Sequence, residues 1–307
     1  MQLEKYEKRS KHNVSDPTLK SRMSALRTFS KFVGGKEPDA DDVERWIDHM
    51  IDKYESNEVK ASTIDQYFNA IRYYFETVKG GSDEIDHMKK WLPDKNIDHG
   101  DYLTEEEWDK FIDSIYDYRD RSIFMLMYEY ARRPGEIRLL NQEDLGYDDE
   151  KEEETITFTI LKKRRETNDG KFRATFNLKD NCKRAIDAYL DKYESKNFEE
   201  TDVVDGEEVT VHPLFTTTHG RISYDSIWRK SKKYARSANI NPEKNIMPKT
   251  MRHTRATHLD WAGFSPDEIA RHQLVHGPNT NVISAYIHDR DESQVREVMN
   301  IEDKQEE

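Results

Sequence analysis

"YARRPGEIRLLNQEDL" occupies residues 130–145 of the chain. Two adjacent arginines run into a Pro-Gly pair, and Arg133 stands three positions before Glu136. Ile137, Leu140 and Leu145 recur where apolar side chains would anchor the segment to a core. Taken alone, an arginine one helical turn from a glutamate is an ordinary ion pair. Two later stretches change its weight. "MPKTMRHTRATHL", residues 247–259, sets Arg252 and His253 at a helical run, with Lys249 just ahead. "RHQLVHGPNTNVISAYIH", residues 271–288, carries His276, Tyr286 and His288.

The chain around these stretches reads as mainly α with a small antiparallel β-sheet. "DPTLKSRMSALRTFSKFVGG" opens with an Asp cap and Pro and ends in Gly-Gly, with Leu19, Met23, Leu26, Phe29 and Phe32 at helical spacing. "DADDVERWIDHMIDKYES" predicts a second helix, "KASTIDQYFNAIRYYFETVKGG" a third capped by Ser62 or Thr63, and "IDHMKKWL" a short fourth. The polar stretch 93–101, "PDKNIDHGD", reads as a linker. Beyond it, Thr104 and Glu107 form a capping-box pair at the head of a helix, and "RSIFMLMYEYA" is an apolar helix. "TITFTILKK" and "KFRATFNL" alternate at period two around "RRETNDG", which predicts a hairpin. Helices are expected from there through residue 300.

Composition bounds the function. No run of about 18 apolar residues exists, so no membrane span is expected. The N-terminal "MQLEKYEKRSKHN" lacks an apolar signal region, and the single cysteine, Cys182, excludes an internal disulfide or a multi-cysteine zinc site. A cytoplasmic protein is expected. The net charge of −13 argues against a nucleic-acid partner when averaged over the chain. Locally the balance inverts. Residues 101–120 carry eight acids and two bases, whereas 161–180 carry seven bases and three acids and 221–240 carry six bases and one acid. That pattern suggests a basic groove in an acidic shell. Lys162 and Arg164 on the hairpin, with Arg229, Lys230, Lys232 and Lys233 further on, are the candidates to line that groove and meet nucleic-acid phosphates there.

Together the boxes resemble the tyrosine recombinase (phage integrase) family. Its first arginine box, Arg-x-x-Glu-[Leu/Ile] followed by Leu-x-x-x-Asp-[Ile/Leu], matches Arg133, Glu136, Ile137, Leu140, Asp144 and Leu145. Its second matches "KTMRHTRATHL", with Arg252 as the second arginine and Lys249 where the family usually has His. "LVH" and "YIH" match the boxes that hold His276 and Tyr286. The likeness spans about residues 16–290, and the acid-rich surface resembles archaeal or halophilic members. Departures are Lys249, Val275 for a Gly, Tyr130-Ala131-Arg132 for Thr-Gly-Leu, and one extra position between His276 and Tyr286.

The resemblance implies a helical, SAM-like core-binding domain over residues 1–95 and a catalytic domain over 96–307. It implies site-specific cleavage and rejoining of double-stranded DNA by a homo-tetramer on two sites, with no cofactor. The rival readings are a recombinase-derived DNA-binding protein that has lost catalysis, and a monomeric relaxing topoisomerase. Chemistry makes sense of the residue types. A tyrosine oxygen can attack phosphorus and store the bond energy as a phosphotyrosine, so neither metal nor ATP is needed. Two arginines can hold the non-bridging oxygens and stay charged. A lysine or histidine can protonate the leaving oxygen. The implied catalytic set is Tyr286, Arg133, Arg252, Lys163, Lys249 and His276. Lys162 and Lys171 are alternates to Lys163. The terminal stretch "DESQVREVMN" is expected to be a helix that packs on a neighbouring protomer.

Overall fold

The computed structural model describes residues 1–94, 101–161, 172–192, 198–204 and 207–274. The chain divides into two compact units, Met1–Ile97 and Asp98–Glu307.

The first unit is helical: α1 Leu3–Ser10, α2 Asp16–Phe32, α3 Ala40–Glu55, α4 Ala61–Tyr74 and the short α5 Asp83–Asp86. A π turn, Phe75–Lys79, extends α4 to Gly80, whose φ of 94° only glycine adopts freely. Leu19, Met23, Leu26 and Phe29 are buried, as the α2 spacing predicts, and meet Trp46, Ile64, Phe68 and Ile71. Phe32, at the frayed end of that stripe, stays 38% exposed; it stacks on His49 and meets the edge of Trp46. Two caps differ from expectation. Ser15, in extended backbone, is the N-cap of α2, so Asp16 lies inside the first turn. Helix α4 starts at Ala61 with Lys60 as N-cap, because the N–H groups of Thr63 and Ile64 already reach the Lys60 carbonyl.

The second unit opens with α6, Glu105–Asp113, capped by Thr104 and Glu107 as predicted. Helix α7, Tyr118–Glu129, is buried on nearly every side and forms the centre of the core with Phe111, Ile186 and Phe215. The short α8, Pro134–Arg138, follows. Strands β1 Leu145–Asp148, β2 Glu153–Ile160 and β3 Phe172–Asn177 form one antiparallel sheet in the order β1-β2-β3. Ile156, Phe158 and Ile160 are buried and the intervening threonines are half-buried, which is the expected alternation.

Helix α9, Asp180–Lys192, packs on α7. The chain then returns to strands before it returns to helices, which corrects the sequence reading. Hairpin β4 Glu200–Val204 with β5 Glu207–Val211 and the small pair β6 Thr216–Thr217 with β7 Gly220–Arg221 precede α10, Tyr224–Ser237. The overlooked signal was two β-branched runs, with Thr201, Val203 and Val204 before and Val209, Thr210 and Val211 after, flanking Asp205-Gly206, a dipeptide common in hairpins. Helix α11, Thr250–Trp261, and the short α12, Pro266–Glu268, which passes into a π turn over Ile269–Gln273, complete the described chain. The stretch "RRETNDG", expected to be the hairpin's turn, and the terminal "DESQVREVMN" lie outside the described residues.

Candidate active site

The first arginine box hangs on how α7 ends. Ala131 takes a left-handed φ of 48°; its N–H bonds the Tyr128 carbonyl and the Arg132 N–H bonds the Met127 carbonyl. That pair is a Schellman termination, in which glycine is the usual left-handed residue. The chain turns sharply and Arg133 becomes the N-cap of α8, with Pro134 in the first turn. Glu136, fully buried, accepts the Arg133 backbone N–H and a guanidinium N–H, both at 2.9 Å. The Arg133 side chain is thus held from below by a carboxylate. Its second terminal nitrogen is buried with no hydrogen-bond partner among the described residues.

The second box enters from α11, which is buried although polar. Thr250, Arg252, Thr254 and Thr257 are each at most 2% exposed. Thr254 and His258 show how buried polar groups of this helix are satisfied. The Thr254 hydroxyl donates to the Thr250 carbonyl at 2.9 Å and accepts the Leu103 N–H at 3.0 Å. His258 lies between the Tyr128 hydroxyl at Nδ1 and the Leu103 carbonyl at Nε2, both at 2.9 Å. The carbonyl requires a proton on Nε2, and in the neutral ring Nδ1 then accepts from the tyrosine. Burial also lowers its pKa, which agrees.

With α11 so fixed against α7, Arg252 reaches the turn before Arg133. It donates one terminal N–H to the Ala131 carbonyl and the other to the Leu274 carbonyl at 3.2 Å. The arginines of the two boxes are therefore brought together. His253 is buried, 8% exposed, and Lys249 stands exposed at the head of the helix, with no ion pair among the described residues. Ser265 and Glu268 form a capping box on α12, and Ile269, Ala270 and Leu274 are buried beneath it. The chain arrives two residues short of His276 at this cluster. His276, Tyr286, Lys162, Lys163, Arg164 and Lys171 lie outside the described residues.

The basic residues of α10 do not form one class. Arg229 and Lys233 are exposed, and the half-buried Lys232 ammonium contacts Asn245 Oδ1 beside the exposed ring of Trp228. Lys230 instead turns inward to Asp120, a fully buried carboxylate that also takes Arg119 at 2.9 Å and the Tyr234 hydroxyl at 2.6 Å. That ion pair fastens α10 to α7, which sets Lys230 apart from its neighbours. Tyr224, 48% exposed, and Trp228, 40% exposed, lie one turn apart on the same helix. Among the described residues no group of three or more His, Cys, Asp or Glu side chains could hold a metal, and no helix is long and apolar enough to cross a membrane.

Comparison with known proteins agrees with this architecture. The tyrosine recombinase XerD of Staphylococcus epidermidis is 29% identical over 143 residues, which is 46% of this chain and 41% of that protein. The chain thus matches about two fifths of the length of that curated relative. The fold matches the Tn1549 transposon integrase, solved in complex with a circular intermediate DNA (TM-score 0.68, 16% identity, 97% of this chain and 98% of that one). It also matches the XerH recombinase, solved in a post-cleavage complex with a palindromic difH substrate (TM-score 0.63, 16% identity, 98% of this chain and 84% of that one). The model of the phage integrase family covers residues 101–293, well over half of the chain, and the protein belongs to that family, the tyrosine recombinases.

Proposed function

We propose that the chain is a DNA strand transferase that cuts and rejoins duplex DNA at specific sites through a 3′-phosphotyrosyl link. The observation that carries this reading is the bond from Arg252 to the Ala131 carbonyl, two residues before Arg133, with Lys249 exposed as the N-cap of the helix that carries Arg252. Two guanidiniums held by buried partners form a preorganised site for a phosphate whose charge grows in the transition state. Tyr286 is the nucleophile. Lys163 protonates the leaving 5′-oxygen, with Lys162 and Lys171 as alternates. His276 and Lys249 complete the phosphate site. The freed 5′-hydroxyl attacks the phosphotyrosine in the reverse step, so bond energy is conserved.

The partner is double-stranded DNA. Arg229, Lys232 and Lys233 on α10 contact it, joined by Lys162 and Arg164 of the hairpin. Residues 1–95 form the core-binding domain, residues 96–307 carry the chemistry, and four protomers assemble on two sites. The DNA-bound state of the Tn1549 integrase and of XerH supports this partner.

The test is covalent trapping. Duplexes that bind the wild-type protein are selected from a random-sequence pool, nicked at successive positions, and scored for an adduct that survives detergent. Wild type forms the adduct on a nicked duplex. Tyr286→Phe binds equally well and forms none. An adduct in Tyr286→Phe would overturn the nucleophile, and no adduct in wild type at any nick position would overturn the activity.

A further inference from the structure

The turn that carries Arg133 begins with an arginine that the proposed chemistry does not use. Arg132 is fully buried, 0% exposed. Its Nε donates to the Tyr130 carbonyl at 2.6 Å and one terminal nitrogen donates to the Gln273 carbonyl. Its guanidinium lies 5.1 Å from the ring centroid of Phe176 and 5.7 Å from that of Phe158. Burial, with Arg252 and Arg133 close by, pushes its pKa down to about 9, and Glu136 only partly offsets this. A leucine or methionine would fill the same slot without removing a charge from water. The cation therefore needs a reason, and its hydrogen bonds supply one.

The two bonds and the ring contacts join three parts of the site. The Tyr130 carbonyl belongs to the end of α7, Phe158 and Phe176 to the sheet, and Gln273 to the last described turn. Arg252 takes the next carbonyl, that of Leu274, at 3.2 Å. Consecutive carbonyls are thus gripped by arginines from the two boxes, and the Gln273 side chain donates to the Glu129 carbonyl at 2.7 Å. Leu274 itself is buried among Ala131, Ala256 and Ile269. His276 follows two residues later, and two residues of chain span at most about 7 Å. Whatever fixes Gln273 and Leu274 limits where His276 can stand.

We infer that Arg132 is a positioning residue: its guanidinium fastens the Gln273 carbonyl to the arginine turn and so registers the last described turn, Ile269–Gln273, against Arg133 and Arg252. It touches no reacting atom. Its consequence for cleavage rests on the strand-transfer reading above, but the clamp itself does not. A lysine could keep the charge and one of the donated bonds, but not the planar fork that makes both.

Hydrogen exchange and covalent trapping test this with Arg132→Met and Arg132→Lys in the full chain. In Arg132→Met, peptides covering residues 269–276 exchange about tenfold faster, the effect of removing one charge-assisted hydrogen bond, while peptides from the middle of α7 and from β2 keep wild-type rates. Its affinity for the selected duplex stays at the wild-type value, and adduct formation on the nicked duplex slows about 100-fold, as a small misplacement near reacting atoms does. Arg132→Lys recovers part of both losses. Unchanged exchange in Arg132→Met overturns the proposal, and so does a parallel loss of affinity and adduct. Should Arg132→Met fail to fold, Arg132→Lys decides alone, and wild-type exchange over residues 269–276 in that variant overturns the clamp. If the wild type forms no adduct, the strand-transfer reading fails while the exchange data still decide whether the clamp exists.

Discussion

Arg252 donates a guanidinium N–H to the carbonyl of Ala131, two residues before Arg133. One arginine box is therefore built directly on the backbone of the other. The left-handed turn at Ala131 presents that carbonyl, and the bond fixes how far apart the two charged side chains can drift. Preorganisation of this kind matters because a donor already in place costs nothing to reorient when charge develops.

Arg133→Ala and Arg252→Ala are expected to slow adduct formation on the nicked duplex by about 100-fold or more each, the scale of losing one oxyanion-stabilising donor. Their effects on folding differ. Arg133→Ala leaves Glu136 buried without its side-chain partner, whereas Arg252→Ala releases the Ala131 and Leu274 carbonyls. Thermal unfolding measured beside cleavage separates impaired chemistry from an impaired fold. Cleavage at the wild-type rate in either variant would make these arginines structural ion-pair and clamp residues only.

Much of the fold around this site was legible in residue order, and the reasons are local. Thr104 and Glu107 cap α6, and Ile156, Phe158 and Ile160 bury alternately, because caps and strand parity depend on near neighbours. The pairing of Arg133 with Glu136 follows from their spacing on one turn. The inward turn of Lys230 was not legible, because Asp120 lies 110 positions away in sequence. Arg132 was hidden for the same reason, since its partner Gln273 is 141 positions away. Long-range partners of charged side chains leave no periodic trace.

Acid is expected to loosen the junction of α7 with α9 and α11 through Glu129. Burial pushes its carboxyl up, but hydrogen bonds from Lys179 and Asn181 and the charge of Arg255 outweigh this and hold it below its usual value. A carboxylate with a lowered folded pKa contributes stability above its unfolded pKa of about 4.3 and loses it as pH falls through the folded value. Glu129→Gln should therefore be less stable than wild type at neutral pH and show a shallower decline below about pH 4.5. Parallel acid limbs in a pH series of denaturant titrations would remove Glu129 from this account.

Cys182 should be inert in the folded protein. It is 0% exposed, and burial, aided by the charge of Glu129, pushes its thiol up to about 12. The thiolate is the reactive form, so alkylation by iodoacetamide at pH 8 should be slow in native protein and fast in denaturant. Comparable rates in both states would mean that α9 opens readily from α7.

The bases of α10 should separate by experiment. Arg229, Lys232 and Lys233 are proposed to face DNA, whereas Lys230 is committed to the buried Asp120. Each phosphate left without its cation flattens the slope of log K against log salt by about 0.9. Arg229→Gln, Lys232→Gln and Lys233→Gln combined should thus flatten the slope by up to about 3 on both selected and random duplexes, since binding to phosphates carries no sequence information. Folding stability should change by no more than about 0.5 kcal/mol for each of the exposed sites, Arg229 and Lys233. Lys230→Gln should do the reverse. It removes a charged hydrogen bond to a carboxylate that keeps Arg119 and Tyr234, at a cost of about 1–3 kcal/mol, and leaves the salt slope of the folded protein unchanged. Substituting exposed acids within 101–120 serves as the control and should not flatten the slope. A slope insensitive to the triple substitution would leave Arg229, Lys232 and Lys233 as an ordinary solvated face, and a slope that responds to Lys230→Gln alone would show that the Asp120 pair opens to meet DNA.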